Sequence, residues 1–176
     1  MKNEQGNRRL HVLFLCTQNS ARSQIAEALM QARHDARLLV GSAGTHPGGR
    51  VHPLAMETLA ERGIDWSAAR PKAIEAVADE RWDLIITVCD KAQEACPAFP
   101  GRPITAHWGV PDPAAVVGDD ATRRRAFQSA AHLLGHRIDL MLALPFEQLE
   151  ALALEQRLRA IGREGASFEP ARGRPT

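Results

Sequence analysis

The feature that most constrains this chain is a change of period at a cysteine. Leu10-His11-Val12-Leu13-Phe14-Leu15 is a short, largely apolar run suited to a strand buried on both faces, and it ends at Cys16. From Ser23 onward Ile25, Ala26, Leu29 and Met30 recur at helical spacing, with Gln24, Glu27, Gln31 and Arg33 on the other side. Strand, tight loop and helix follow one another directly. Such a strand buries both its faces only inside a parallel sheet covered by helices.

The remainder repeats the alternation. Residues 37–40 read as a second strand, closed by the small-residue turn Gly41-Ser42-Ala43-Gly44 and a loose loop over 45–49. A helix is expected from Pro53, with Leu54, Met56, Leu59 and Ala60 inward and Gly63 as its C-cap. Pro71 opens a short helix through Val77, and Leu84-Ile85-Ile86-Thr87-Val88 is a third strand that again ends at a cysteine, Cys89. The loop after it carries Cys96. Prolines and glycines interrupt 97–103 before a short strand at 104–106 and a further loop over 108–120. A long helix is expected over 121–144, with Phe127, Ala131, Leu134, Ile138 and Met141 along its apolar stripe. Pro145 breaks it, and 146–161 forms another amphipathic helix.

The expected fold class is α/β: one three-layer domain with a four-stranded parallel sheet flanked by helices and an extra C-terminal helix. The organisation is a polar tail (1–9), the main domain (10–144), the additional helix (145–163) and a flexible, frayed tail from Gly162 onward (164–176). With 176 residues, 44% of them hydrophobic, the chain has apolar material for one core. Its 22 Lys+Arg against 21 Asp+Glu give a net charge of +1, which excludes a broad basic field for nucleic acid or an acidic membrane. An anion must be held by a local device. No apolar run could span a bilayer and the first residues are polar, so a cytoplasmic protein, favoured as a monomer, is expected. In that compartment three cysteines, an odd number, read as reactive thiols or metal ligands rather than a disulfide framework. With no C-x-x-C pair and no His cluster at ligand spacing, no metal is expected.

The local device is Cys16-Thr17-Gln18-Asn19-Ser20-Ala21-Arg22-Ser23, a C-x5-R-S spacing that leaves a strand and opens a helix. Backbone N–H groups of Thr17, Gln18, Asn19, Ser20, Ala21, Arg22 and Ser23 can curl around a tetrahedral oxyanion at the positive end of the helix dipole. Arg22 adds a planar fork for two oxygens. The same field is expected to hold Cys16 as a thiolate at neutral pH, with Ser20 and Ser23 donating to its sulfur and Asn19 supplying a left-handed turn.

The stretch Val-Leu-Phe-Leu-Cys-Thr-Gln-Asn-Ser-Ala-Arg-Ser-Gln-Ile-Ala-Glu, residues 12–27, resembles the start of low-molecular-weight protein tyrosine phosphatases and thioredoxin-coupled arsenate reductases, which share one fold. The resemblance runs from about residue 11 to 144. It implies that Cys16 attacks an oxyanion: arsenate, with phosphate or sulfate as analogues. The two activities differ in electrons, because arsenate reduction needs two of them and thiols must supply them. Val88-Cys89-Asp90-Lys91-Ala92-Gln93-Glu94-Ala95-Cys96-Pro97 resembles the redox segment of the reductases. A relay from Cys16 to Cys89 to Cys96 is thereby implied, regenerated by thioredoxin or another thiol donor, with no bound cofactor. His107-Trp108-Gly109-Val110-Pro111-Asp112-Pro113-Ala114 resembles the loop that brings an acid over the site, so Asp112 is the expected proton donor. Phosphatases typically follow their Asp-Pro with tyrosines, whereas here Ala114 and Ala115 stand there in a chain without tyrosine.

Some reductases of this group bind potassium beside the loop through an Asn, a Glu, a Ser and an Asp. Asn19, Glu27 and Ser42 match three of these, but the fourth position falls on Lys72, whose ammonium is expected to replace the cation. Arg123-Arg124-Arg125 reads as a solvated helix face, and His46 and His52 carry no assigned role. Two other readings stand beside the reductase: a phosphomonoesterase using Cys16, Arg22 and Asp112, and a non-catalytic arsenic-binding module.

Overall fold

The computed structural model describes residues 8–146 and 148–165. The outer parts of the expected polar tail and flexible tail, residues 1–7 and 166–176, lie outside the described residues. Strand β1 (Leu10–Cys16) is the centre of the molecule, with Val12, Leu13, Phe14 and Leu15 wholly buried. It is flanked by β2 (Leu38–Gly44) and β3 (Leu84–Thr87), with β4 (Ile104–His107) outside β3. All pairings are parallel and the order is β2-β1-β3-β4. Cys16 pairs with Gly44, Leu15 with Thr87 and Thr87 with His107, so the carboxyl ends of all four strands meet along one edge. Strand order doubles back at β1. The crevice outside the carboxyl ends at such a reversal is where α/β sheets place their ligands.

Helices cover this sheet. They are α1 (Arg22–Gln31), α2 (Pro53–Ala60), α3 (Asp90–Glu94), α4 (Asp120–Leu142) and α5 (Ala151–Arg163). Helix α1 sinks Ile25, Ala26, Leu29 and Met30 between β1, β2 and α4, the stripe read from its spacing. Helix α2 ends as expected: Gly63, at φ 73°, donates to the Ala60 carbonyl while Ile64 reaches back to Leu59, a Schellman closure. Asp119 caps α4 by accepting from the Thr122 N–H at 2.7 Å. Helix α5 buries Leu154, Leu158 and Ile161 against β4 and α4, each such side chain contributing about 1.5–3 kcal/mol.

Four expectations need correction. Gly41-Ser42-Ala43-Gly44 is not a turn but the second half of β2. Small residues stand there because neighbours press close: a Cβ on Gly41 would lie 2.9 Å from the Trp82 ring. The third strand stops at Thr87, and the segment after Cys89, expected as a loop, winds into α3. The short helix after Pro71 shrinks to one 3₁₀ turn, Ile74–Ala76. The last helix begins at Ala151 rather than 146 and keeps Gly162, expected in a frayed tail, inside it.

Gly44 ties fold to site. A Cβ there would come within 2.6 Å of the Thr17 carbonyl oxygen and 2.9 Å of the Asn19 nitrogen, both backbone atoms of the Cys16 loop. Gly44→Ala is expected to cost about 1–3 kcal/mol by overpacking, seen as a lower urea midpoint at unchanged slope.

Candidate active site

The loop between β1 and α1 is shaped from outside. The Cys16, Thr17, Gln18 and Ser20 carbonyls accept from the N–H groups of Thr45, His46, Gly48 and His52 at 3.2, 2.8, 2.8 and 2.7 Å. A peptide's N–H points opposite to its carbonyl, so the N–H groups of residues 17, 18, 19 and 21 turn toward the inside of the loop. The Asn19 N–H donates to Cys16 Sγ at 3.0 Å, and Asn19 takes the left-handed conformation foreseen for it, φ 49°. No side chain caps α1, whose first N–H groups also open on this space. The 45–52 segment, unremarkable in sequence, is the mould of the loop.

Behind the sulfur runs an ordered buried chain of hydrogen bonds. Ser23 Oγ lies 2.8 Å from Cys16 Sγ and accepts from Asn19 Nδ2 at 2.8 Å, which leaves the Ser23 hydrogen for the sulfur. The second Asn19 amide hydrogen goes to Ser42 Oγ at 2.8 Å, and Ser42 donates to Glu27 Oε2 at 2.5 Å. Lys72 Nζ completes the chain at 3.3 Å from the same carboxylate oxygen. Asn19 Oδ1 accepts from the Lys72 N–H and from Gln24 Nε2, at 2.7 and 3.0 Å. Gln24, which the sequence reading placed on the polar side of α1, is fully buried and also accepts from the Trp66 indole. Ser20 departs from expectation, its hydroxyl facing Gln18 rather than the sulfur.

Cys16 also departs from expectation. Burial pushes its thiol up, because a thiolate there loses water; the hydrogen bonds of Ser23 and Asn19 pull it down, and the nearby Cys89 pushes it up again. Burial is the largest effect, so the balance of these influences lies above the ordinary thiol value.

Over the loop sits the segment after β4. Arg22 donates to the Val110 carbonyl at 3.0 Å and pairs with Asp112 at 3.2 Å. Asp112 is partly exposed and caps a 3₁₀ turn, Pro113–Ala115, accepting from the Ala114 N–H. Cys16, Thr17, Gln18, Ser20, Ala21, Arg22, Cys89 and Asp112 line one cleft. Cys89 is buried, its Sγ 3.4 Å from Thr17 Oγ1. Cys96 is not brought into the cleft; it lies beyond α3, half-buried, with Sγ 3.7 Å from the Pro97 carbonyl, and burial pushes its thiol up. His52 caps α2 and stacks on Phe127, and Arg124 pairs with Glu57, so these serve packing. Among the described residues no group of three or more His, Cys, Asp or Glu is placed to hold a metal, and no helix is long and apolar enough to cross a membrane.

Residues 11–144 match the family described as low molecular weight phosphotyrosine protein phosphatase, and the chain belongs to it. The similar proteins include several named arsenate reductase, beside solved phosphatases of the same fold such as one from T. tengcongensis (TM-score 0.60, 25% identity, 74% of this chain and 95% of that one). One, from Halalkalibacterium halodurans, is 36% identical over 127 residues, 72% of this chain and 91% of that protein. The crystal structure of an Archaeoglobus fulgidus arsenate reductase superposes with a TM-score of 0.57 at 31% identity, covering 73% of this chain and 98% of that one. A Corynebacterium glutamicum protein, a thioredoxin-dependent arsenate reductase, gives 0.53 at 31% identity over 76% of this chain and 63% of its own.

Two measurements check this site. Iodoacetamide modification of the Cys16 peptide, followed by mass spectrometry, is expected to keep accelerating past pH ~8.5, the ordinary thiol value, and Ser23→Ala to shift the midpoint higher. A plateau below neutral pH contradicts this. Because the Lys72 ammonium stands beside the Glu27 carboxylate, exchanging sodium for potassium at equal ionic strength is expected to leave the melting temperature unchanged.

Proposed function

We propose that this protein is an arsenate reductase that takes its two electrons from its own cysteines. The observation that carries the reading is Cys89, a second thiol on the same cleft as Cys16 and in contact with the loop through Thr17. Hydrolysis of a phosphomonoester has no use for it.

The arsenate dianion enters the loop, takes up the Cys16 proton as it binds, and is held by the inward N–H groups. Arg22 turns from Asp112 to the oxyanion. Asp112, released from Arg22, then faces the bound oxyanion as the carboxyl placed to deliver a proton to the departing oxygen. The Cys16 thiolate attacks arsenic, the As–O bond opposite breaks, and the oxygen leaves as water with the proton from Asp112. Cys89 as thiolate attacks Cys16 Sγ; the S–As electron pair returns to arsenic, which leaves as arsenite, and a Cys16–Cys89 disulfide forms. Cys96 attacks Cys89, releasing Cys16 and leaving Cys89–Cys96. An external dithiol of the thioredoxin kind reduces that bond.

The last exchange requires α3 to open, since it separates the two cysteines. Five residues of helix capped by no side chain cost little to unwind.

The test is arsenate-dependent NADPH oxidation through thioredoxin reductase and thioredoxin. Cys16→Ser and Cys89→Ser are each expected to reduce it to background, and Asp112→Asn to lower kcat by about 10²-fold or more. If consumption survives Cys89→Ser, the relay is wrong. If the wild type hydrolyses p-nitrophenyl phosphate without consuming NADPH, the protein is a phosphomonoesterase. Titration of arsenite by the three thiols with no turnover would identify a binding module.

A further inference from the structure

Helix α5 lies beyond the residues that match the family, yet its backbone rests directly on the strand end that leads to Asp112. A Cβ on Gly162 would stand 2.1 Å from the His107 carbonyl oxygen and 2.9 Å from Trp108 Cδ1, so only a glycine lets helix and peptide touch here. The Trp108 indole, fully buried, donates to the Leu158 carbonyl at 3.0 Å. Arg137 of α4, also fully buried, closes the arrangement. Its Nη1 donates to the Gly109 carbonyl at 3.1 Å, and its Nε and Nη2 donate to the Glu164 carbonyl at 3.2 and 3.0 Å.

A guanidinium kept from water needs its N–H groups satisfied, and no ion pair to Arg137 is found among the described residues. Two carbonyls do this instead, one at the end of α5 and one in the segment carrying Asp112. Gly109 precedes Val110, whose carbonyl holds Arg22, and Asp112 follows two residues later. These contacts therefore connect α5 to the segment that carries Asp112 and whose Val110 carbonyl meets Arg22.

We propose that Arg137, Trp108 and helix α5 are a positioning brace that holds the Asp112 segment where its carboxyl can deliver a proton to the departing oxygen. This rests on the role given to Asp112 above. None of the three touches the oxyanion, so the brace acts chiefly on kcat, its one route to substrate affinity being the Val110 carbonyl that meets Arg22. A loop released by about 1 Å loses proton transfer steeply.

The experiment is a double-mutant cycle on the full chain. Arsenate kcat and KM are measured for wild type, Arg137→Gln, Asp112→Asn and the pair, with phosphate affinity by calorimetry. Arg137→Gln is expected to lower kcat about 10- to 100-fold with KM and phosphate affinity within about twofold, and to cost nothing further in Asp112→Asn. Trp108→Phe, which keeps the ring and removes the donor, is run as a second cycle and decides the matter if Arg137→Gln does not fold. Equal losses in both backgrounds overturn the proposal, as does a wild-type kcat in both variants. A wild type without arsenate turnover, or one indifferent to Asp112→Asn, defeats the reading of the reaction itself.

Discussion

The site depends on one backbone arrangement: four carbonyls of the Cys16 loop bonded outward to residues 45–52, with the opposite N–H groups turned in. A loop of this kind cannot hold itself, since its own peptides are bent away from any regular ladder. Its mould needs a strand of nearly side-chain-free backbone beside it, and Gly44 provides it. In a chain of net charge +1, the concentration of inward donors at this loop is thus a matter of backbone direction, with Arg22 beside it.

Around the sulfur, charge is arranged at a distance. Lys72 and Ser42 both donate to Glu27, Asn19 donates to both Ser42 and Ser23, and Ser23 closes the chain on Cys16. Every polar member is satisfied, which is what allows such a network to be buried. Burial pushes the Cys16 thiol up, against the pull of the Ser23 and Asn19 hydrogen bonds. Above, Arg22 pairs with Asp112, so the two charged side chains nearest the loop opening satisfy each other.

The sulfur chemistry places a different demand on the fold. In the relay proposed above, attack on arsenate needs a rigid loop, whereas passing a disulfide outward needs a segment that can move. The rigid part is built on β1 and α1, among the most buried residues; the segment between Cys89 and Cys96 hangs on a helix of five residues at the sheet's edge.

Strand, loop and helix around Cys16 were legible because hydrophobic period and the C-x5-R-S spacing are local, and the four parallel strands followed from the alternation. The proximity of Cys89, the place of Asp112 and the Asn19–Glu27–Ser42–Lys72 cluster came from resemblance. Short-range patterns say nothing of which distant residues meet. Gly41 to Gly44 misled for a physical reason: small residues mark turns and close approaches alike, and only the neighbours Trp82 and Thr17 tell them apart. Gly162 misled in the same way. Cys16 was expected ionised because a helix terminus can be read in sequence, while the loss of water around a sulfur belongs to tertiary packing. The chain by itself determined that a thiol would stand at the mouth of a parallel sheet, because period and spacing are written residue by residue. Tertiary structure alone decided how deeply the Cys16 sulfur is buried, the mould of residues 45–52 around its loop and the packing of α5 on the strand end before Asp112, since each depends on groups far apart in the chain being buried together.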